Sequence, residues 1–152
     1  MITFEQIQPE DLQPLVALAY WEDYELLEKY HVRKFGSVEA AVEQTVIMIA
    51  EMEMRIPMNY YKIMWNGGPA GYMVTFENCL YSFGIKMQYR LRHILTEWVA
   101  KVQEMMEHHF KCYLYKNNTR AIEFCKKQGM IIIEENLEEN FVTLLNNYSC
   151  QS

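Results

Sequence analysis

Asn118, Ala121, Ile122 and Cys125 are spaced by three, four and seven residues, so on a helix they share one face. The segment that carries them, Asn118 to Met130, has its own start and stop. Asn117 or Asn118 can cap the first turn, because a short side-chain oxygen accepts from an otherwise unpaired amide. Gly129 stands where the helix must end, since glycine takes the left-handed conformation without a Cβ penalty. Cys125 therefore faces wherever Asn118 faces. A thiol of ordinary pKa, about 8.5, can give a proton to a departing thiolate. Free cysteine also serves as a small buried hydrophobe. Proton donor and packing group are both open readings of this residue.

The other chemically capable side chains form no metal or redox motif. Cys79, Cys112, Cys125 and Cys150 lie far apart with no CxxC pair, and His31, His93, His108 and His109 add no ligand spacing. This pattern indicates reduced thiols in a cytosolic compartment and no metal site. The net charge of −6 disfavours nucleic acid or an anionic membrane as partner, because both need basic patches. With 51% hydrophobic and 22% charged residues the composition is that of a globular chain, and 152 residues fit one domain spanning 1–152. Glu5, Glu10 and Asp11 argue against a signal peptide. No run approaches the ~18 apolar residues of a membrane span.

The elements that must position these residues follow from pattern. Ile2–Ile7 alternates apolar and polar, as a half-buried strand does. Pro9 opens a helix carried by Leu12, Leu15, Val16, Leu18 and Ala19. Tyr20-Trp21-Glu22-Asp23-Tyr24 then mixes aromatics with carboxylates. Ser37 caps a second helix from Val38 to about Ile56, closed by Pro57. Val46-Ile47-Met48 widens its apolar stripe toward burial on more than one side. Asn59–Asn66, Ala70–Phe76 and Cys79–Lys86 make an antiparallel meander turning at Gly67-Gly68-Pro69 and Glu77-Asn78. A long helix, about Gln88–Phe110, carries Leu91, Leu95, Trp98, Val102 and Met105 at helical spacing. Its end holds His108, His109 and Lys111, where cations suit the helix dipole. Lys111–Tyr115 is a strand, Asn118–Gln128 a helix and Met130–Glu135 a strand, paired across Asn136–Glu139 with Asn140–Leu145.

The segment Asn118–Met130 resembles the second acyl-CoA motif of the GNAT superfamily, the GCN5-related N-acetyltransferases. That motif runs Asn, two residues, Ala-Ile, two residues, Tyr, three residues, Gly-Phe. Asn118, Ala121, Ile122 and Gly129 match in register; Cys125 occupies the tyrosine position and Met130 the phenylalanine position. The element order agrees with that fold over nearly the whole chain. The resemblance implies an α+β (α/β) GNAT fold: a mixed, mostly antiparallel sheet of about seven strands flanked by four helices, with strands four and five splayed apart.

It implies further that acetyl-CoA lies in the splay, its pantetheine arm on the backbone of strand four at Phe83, Gly84 and Ile85. Glycine inside a strand marks a bulge or the close approach of another backbone, which suits Gly84. The pyrophosphate would sit on the N-terminus of the following helix, a natural anion site, with Arg90 and Arg92 as partners. The family builds that turn with glycines. Here the stretch Met87–Leu95 has none, and the glycine positions hold His93 and Leu95 in one alignment, Leu91 and His93 in another. The tyrosine of the motif donates the proton to the leaving thiolate, so that role falls to Cys125, with Tyr113, Tyr115 and Tyr89 as alternatives. The base would be Glu77 at the mouth of strand four. The segment after the first helix would border the acceptor site.

A glycine-free, Arg-containing start to the long helix, then strand, Asn and helix, is also similar to the GNAT-like internal virion proteins of short-tailed phages, over roughly Gln88–Glu135. Two functions follow from these resemblances. One is acetyl-CoA-dependent transfer to a small-molecule or protein amine. The other is a non-catalytic GNAT-fold protein that binds other virion proteins. The implied location is the cytoplasm, or the virion interior if phage-encoded.

Overall fold

The computed structural model describes residues 1–20, 36–106, 109–116, 118–136, 138 and 141–147. The aromatic-acidic stretch Trp21-Glu22-Asp23-Tyr24, His31, His108, Asn117 and Cys150 lie outside the described residues.

The elements are β1 (Ile2–Gln6), a 3-10 turn (Pro9–Asp11), α1 (Leu12–Tyr20), α2 (Val38–Glu53), β2 (Asn59–Trp65), β3 (Gly68–Phe76) and β4 (Cys79–Ile85). A second 3-10 turn (Met87–Tyr89), α3 (Arg92–Met105), β5 (His109–Tyr115), α4 (Thr119–Lys127), β6 (Met130–Asn136) and β7 (Phe141–Asn147) follow. The strands form one seven-stranded sheet in the order β1-β2-β3-β4-β5-β7-β6. Among the described strands β4 and β5 run parallel, and the other neighbouring pairs are antiparallel.

Local chemistry explains most boundaries. Ser37 Oγ accepts from the Ala40 amide at 3.1 Å and starts α2. Asn118 Oδ1 accepts from the Ala121 amide at 3.4 Å and starts α4, and Gly129, at φ 91°, closes it. The β2–β3 hairpin turns at Asn66-Gly67, with φ 49° and 84°, the positive pair a tight hairpin requires. The strand therefore resumes at Gly68, earlier than the glycine-proline cluster suggests.

Two helices depart from expectation. The long helix does not begin at Gln88. Tyr89 N donates to the Lys86 carbonyl at 2.9 Å in a tight turn, Leu91 is extended (φ −90°, ψ 145°), and α3 starts at Arg92. Nor does it reach Phe110, which is 2% exposed and belongs to the alternating run Phe110, Cys112, Leu114 of β5. The buried face of α3 is Ile94, Trp98, Val99 and Val102, while Leu91 and Met105 are exposed. In α2 the helix ends at Glu53, and Ile47 and Met48 are exposed, so it is buried on one side only.

The sheet separates two apolar clusters. One contains Leu80, Ile85, Trp98, Cys112, Leu114, Cys125, Val142 and Leu144, on the face covered by α3 and α4. The other joins α1 and α2 to Tyr60, Tyr72 and Val74, with Tyr81 packed against it. Among the described residues no helix is long and apolar enough to cross a membrane.

Candidate functional site

The parallel pairing of β4 with β5 is confined to Cys79↔Lys111 and Leu80↔Cys112. Beyond Leu80 the two strands part, while β4 stays paired with β3 and β5 with β7. A cleft of about 1000 Å³ occupies the gap. That is at the upper end of ligand-pocket size, room for a large ligand rather than a single small metabolite.

The parting begins at a bulge. Val74 pairs with Ser82 and Thr75 with Leu80, so Tyr81 is an extra residue on β4. Leu80 and Phe83 both pack on the α3/α4 cluster. The bulge thus puts two consecutive side chains, Tyr81 and Ser82, on the α1/α2 face. Tyr81 packs there, and Ser82 Oγ lies 2.9 Å from the Tyr72 hydroxyl. Tyr20 lies 3.2 Å from Thr45 Oγ1 and also bonds Tyr72, linking both helices to the bulged segment.

A second bulge shapes the far wall. Ile132 pairs with Leu144 but Glu134 pairs with Thr143, leaving Ile133 as the extra residue on β6. Ile132 packs on the α3/α4 cluster, whereas Glu134 shares the opposite face with Thr143. Thr143 in turn pairs with Tyr113. Asn136, Phe141 and Tyr115 pair in the same way, one step along. These two rows, Tyr113–Thr143–Glu134 and Tyr115–Phe141–Asn136, all line the cleft. The Tyr115 and Phe141 rings stack at 4.5 Å and 24°, and Tyr113 meets Tyr81 edge-on at 6.4 Å across the gap.

The residues expected to hold a thioester donor are among those that line the cleft. Phe83, Gly84, Ile85, Arg90, Arg92, Asn118 and Cys125 all line it. Phe83 packs on Trp98, centroids 5.1 Å apart. Trp98 Nε1 is buried with no hydrogen-bond partner. Gly84 is explained by packing. A Cβ there would stand 2.8 Å from the Tyr72 ring and 2.9 Å from Ala19 Cβ, and Gly71 approaches so closely that its own Cβ would lie 2.0 Å from the Gly84 oxygen. Arg90 has a structural role: Nε donates to the Ile85 carbonyl at 2.7 Å and an Nη group to the Ala19 carbonyl at 3.4 Å. Arg92 is different, exposed in the first turn of α3, whose N-terminus has no side-chain cap. Arg120, in the first turn of α4, also lines the cleft and escaped the sequence reading. Of the side chains at the family's glycine positions only Leu95 lines the cleft; Leu91 is exposed, and His93 packs edge-on against Trp65.

Cys125 is buried in the α3/α4 cluster beside Cys112. A hydrogen bond from Cys112 holds the Cys125 thiol below the ordinary range, against the opposing effect of burial. The same contact, with burial, pushes Cys112 up. Burial raises Cys79 to about 11, opposed by its hydrogen bond with Tyr113. Burial, then Cys79, then Glu134 raise Tyr113 to about 12. Glu77 is exposed in the β3–β4 turn at φ 49° and is not among the cleft-lining residues. Among the described residues lining the cleft, Glu134 is the one carboxylate. Its position could not be found from spacing, because it depends on the bulge beside it.

This architecture is the GNAT acetyltransferase fold. An acetyltransferase from Thermus thermophilus matches with a TM-score of 0.66 at 14% identity, over 95% of this chain and 96% of its own. The PaiA N-acetyltransferase of Thermoplasma acidophilum, solved with coenzyme A, matches at 0.61 and 13%, over 96% and 98%. The Campylobacter jejuni N-acetyltransferase PseH, solved with acetyl coenzyme A, matches at 0.51 and 12%, over 95% and 97%. No protein-family model and no curated protein matches the chain by sequence.

Proposed function

We propose that the chain is an acetyl-CoA-dependent N-acyltransferase acting on a primary amine. The observation that carries this reading is the gap between β4 and β5, which pair for two residues and then enclose a cleft of about 1000 Å³ reached from both faces of the sheet. The residues present fit the donor. Beyond Leu80 the edge of β4 has no β5 partner, so the backbone at Phe83 is placed to meet an amide-bearing arm, the Ile85 carbonyl already accepting from Arg90. Trp98 Nε1 is a buried donor lacking an acceptor. The uncapped N-terminus of α3, with Arg92 in its first turn and Arg120 across the cleft, suits phosphate.

Bound acetyl-CoA would supply a thioester carbon, which the amine nitrogen attacks as the carbon–sulfur bond breaks and the sulfur leaves with a proton. Glu134, in place of Glu77, takes the proton of the incoming ammonium from the α1/α2 side. Cys125, on the opposite side and with its thiol shifted down, is the group placed to return a proton to sulfur. On this reading acceptor and donor approach from opposite faces of one gap, and each reaches the other through it.

Thermal melting with acetyl-CoA tests the donor half of this proposal. A ligand at 100 times its Kd stabilises by about 2.7 kcal/mol. Release of free thiol on adding an amine tests the transfer. A second reading rests on Leu95 standing in the cleft where related turns carry small residues. On it the chain is a non-catalytic GNAT-fold protein of a phage particle whose partners are other virion proteins. Absence of both stabilisation and thiol release favours this second reading.

A further inference from the structure

We infer that the α1/α2 side of the cleft takes a small amine with an apolar, flat body, its ammonium on Glu134 and its body on the stacked Tyr115–Phe141 pair. This deepens the acyltransferase proposal and rests on it for the direction in which the amine nitrogen points.

The argument begins with register. The two rows across β5, β7 and β6 differ in chemistry. One ends in a carboxylate, Tyr113–Thr143–Glu134, and the other is built on stacked rings, Tyr115–Phe141–Asn136. Neighbouring strands lie about 4.8 Å apart, and rows on one face are about 7 Å apart along the strand. A charged group and a ring joined by a short chain span that distance. Glu134 lies close enough to Tyr113 to act on its titration, so an ammonium held there would lie near that ring, whose face attracts cations.

Among the described lining residues there is one carboxylate, Glu134. The remaining wall is apolar on the α2 side, with Met48, Met52 and Ile56. An ammonium at Glu134 and an apolar complement are what the described lining satisfies.

The experiment uses the full chain with 2-phenylethylamine, spermidine and 2-phenylethanol, each alone in thermal melting and each with acetyl-CoA in a thiol-release assay. The expected result is a Tm rise with 2-phenylethylamine that exceeds those with spermidine and 2-phenylethanol. Glu134→Gln should weaken the amine roughly tenfold, as loss of one charge-assisted contact does, while leaving the Tm rise with acetyl-CoA intact. Phe141→Leu should weaken 2-phenylethylamine while its effect on spermidine is small. Spermidine binding as well as 2-phenylethylamine, or Glu134→Gln binding the amine unchanged, overturns the inference. So does failure of any amine to bind while acetyl-CoA stabilises the protein, an outcome that leaves the donor site standing. Amine binding that depends on Glu134, with no effect of acetyl-CoA, sinks the acyltransferase reading and leaves the amine site.

Discussion

Glu134 of β6 stands opposite Thr143 of β7 because Ile133 is bulged out of the ladder between them. In a regular ladder of the same sequence, Glu134 would share the face of Ile132 and point toward the α3/α4 core. The bulge is therefore what delivers a carboxylate to the row that begins at Tyr113. Bulges near sites commonly re-aim a side chain in this way.

This relationship makes deletion of Ile133 informative. Removing only that residue restores a regular ladder while keeping Ile132 on Leu144 and Glu134 on Thr143. Ile133 is 45% exposed, so its loss empties no core. We expect stability within about 1 kcal/mol of the parent and retained Glu134-dependent amine binding. Inserting a further residue beside Ile133 should instead turn Glu134 away and abolish that binding. Urea melts and amine titrations of both variants decide the matter; a deletion variant that folds but ignores Glu134 contradicts the register argument.

Alkaline titration probes the same wall. Tyr113 and Tyr115 are both raised to about 12, chiefly by burial, with the charge of Cys79 next at Tyr113 and that of Tyr20 at Tyr115. An unfolded tyrosine ionises near 10. Below pH 10 both states keep their protons and this stabilisation is fully present. As pH rises from 10 toward 12 the unfolded chain ionises first, so stability falls across that window. Absorbance of tyrosinate should show a late component that Tyr113→Phe and Tyr115→Phe each reduce. If neither substitution changes the curve above pH 10, these residues do not carry the shift.

What the sequence disclosed and what it hid divide along a physical line. The cap at Ser37, the asparagine cap before Thr119, the stop at Gly129 and the alternation of β1 are local chemistry, and all were legible. The parting of β4 from β5 was legible only through resemblance of the Asn118–Gly129 segment to an acyl-CoA motif. The start of α3 was not, because Arg90 bonds Ala19, 71 residues away, and a propensity pattern carries no trace of that contact. Glu134 was missed for a related reason. In the apolar run Met130–Ile133 a bulge has no glycine to announce it, and only the register with β7 reveals it.

The cysteines should separate by environment. Cys125 is shifted down by its hydrogen bond from Cys112 and lines the cleft, while burial raises Cys79 to about 11 and Cys79 is not among the cleft-lining residues. Since the thiolate is the nucleophile, limited alkylation near neutral pH should modify Cys125 before Cys79. Acetyl-CoA should slow that modification if it fills the α3/α4 side. Cys125→Ala should cost about 1 kcal/mol of stability as a small core truncation. A working proton donor should show in addition a lower kcat and loss of the alkaline limb in the pH–rate profile. Loss of stability alone, with kcat unchanged, assigns Cys125 to packing.

Arg90 and Arg92 are two residues apart and should fail differently. Arg90 gives its Nε proton to the Ile85 carbonyl and reaches the Ala19 carbonyl near the end of α1. Arg90→Ala therefore leaves part-buried carbonyls short of a donor, and a loss of about 1–3 kcal/mol in stability is expected. Arg92 is exposed at an uncapped helix start that faces the cleft. Its removal should leave the melting temperature of the free protein nearly unchanged and weaken acetyl-CoA by roughly fivefold at low salt, less at high salt, because exposed charges are screened. Arg92→Ala combined with Arg120→Ala should deepen the loss if both cations face the phosphates. Calorimetric titration at two ionic strengths separates the cases. Equal affinity for acetyl-CoA in the parent and the double variant, at both ionic strengths, would remove the pyrophosphate from the start of α3 and with it the proposed seating of the donor.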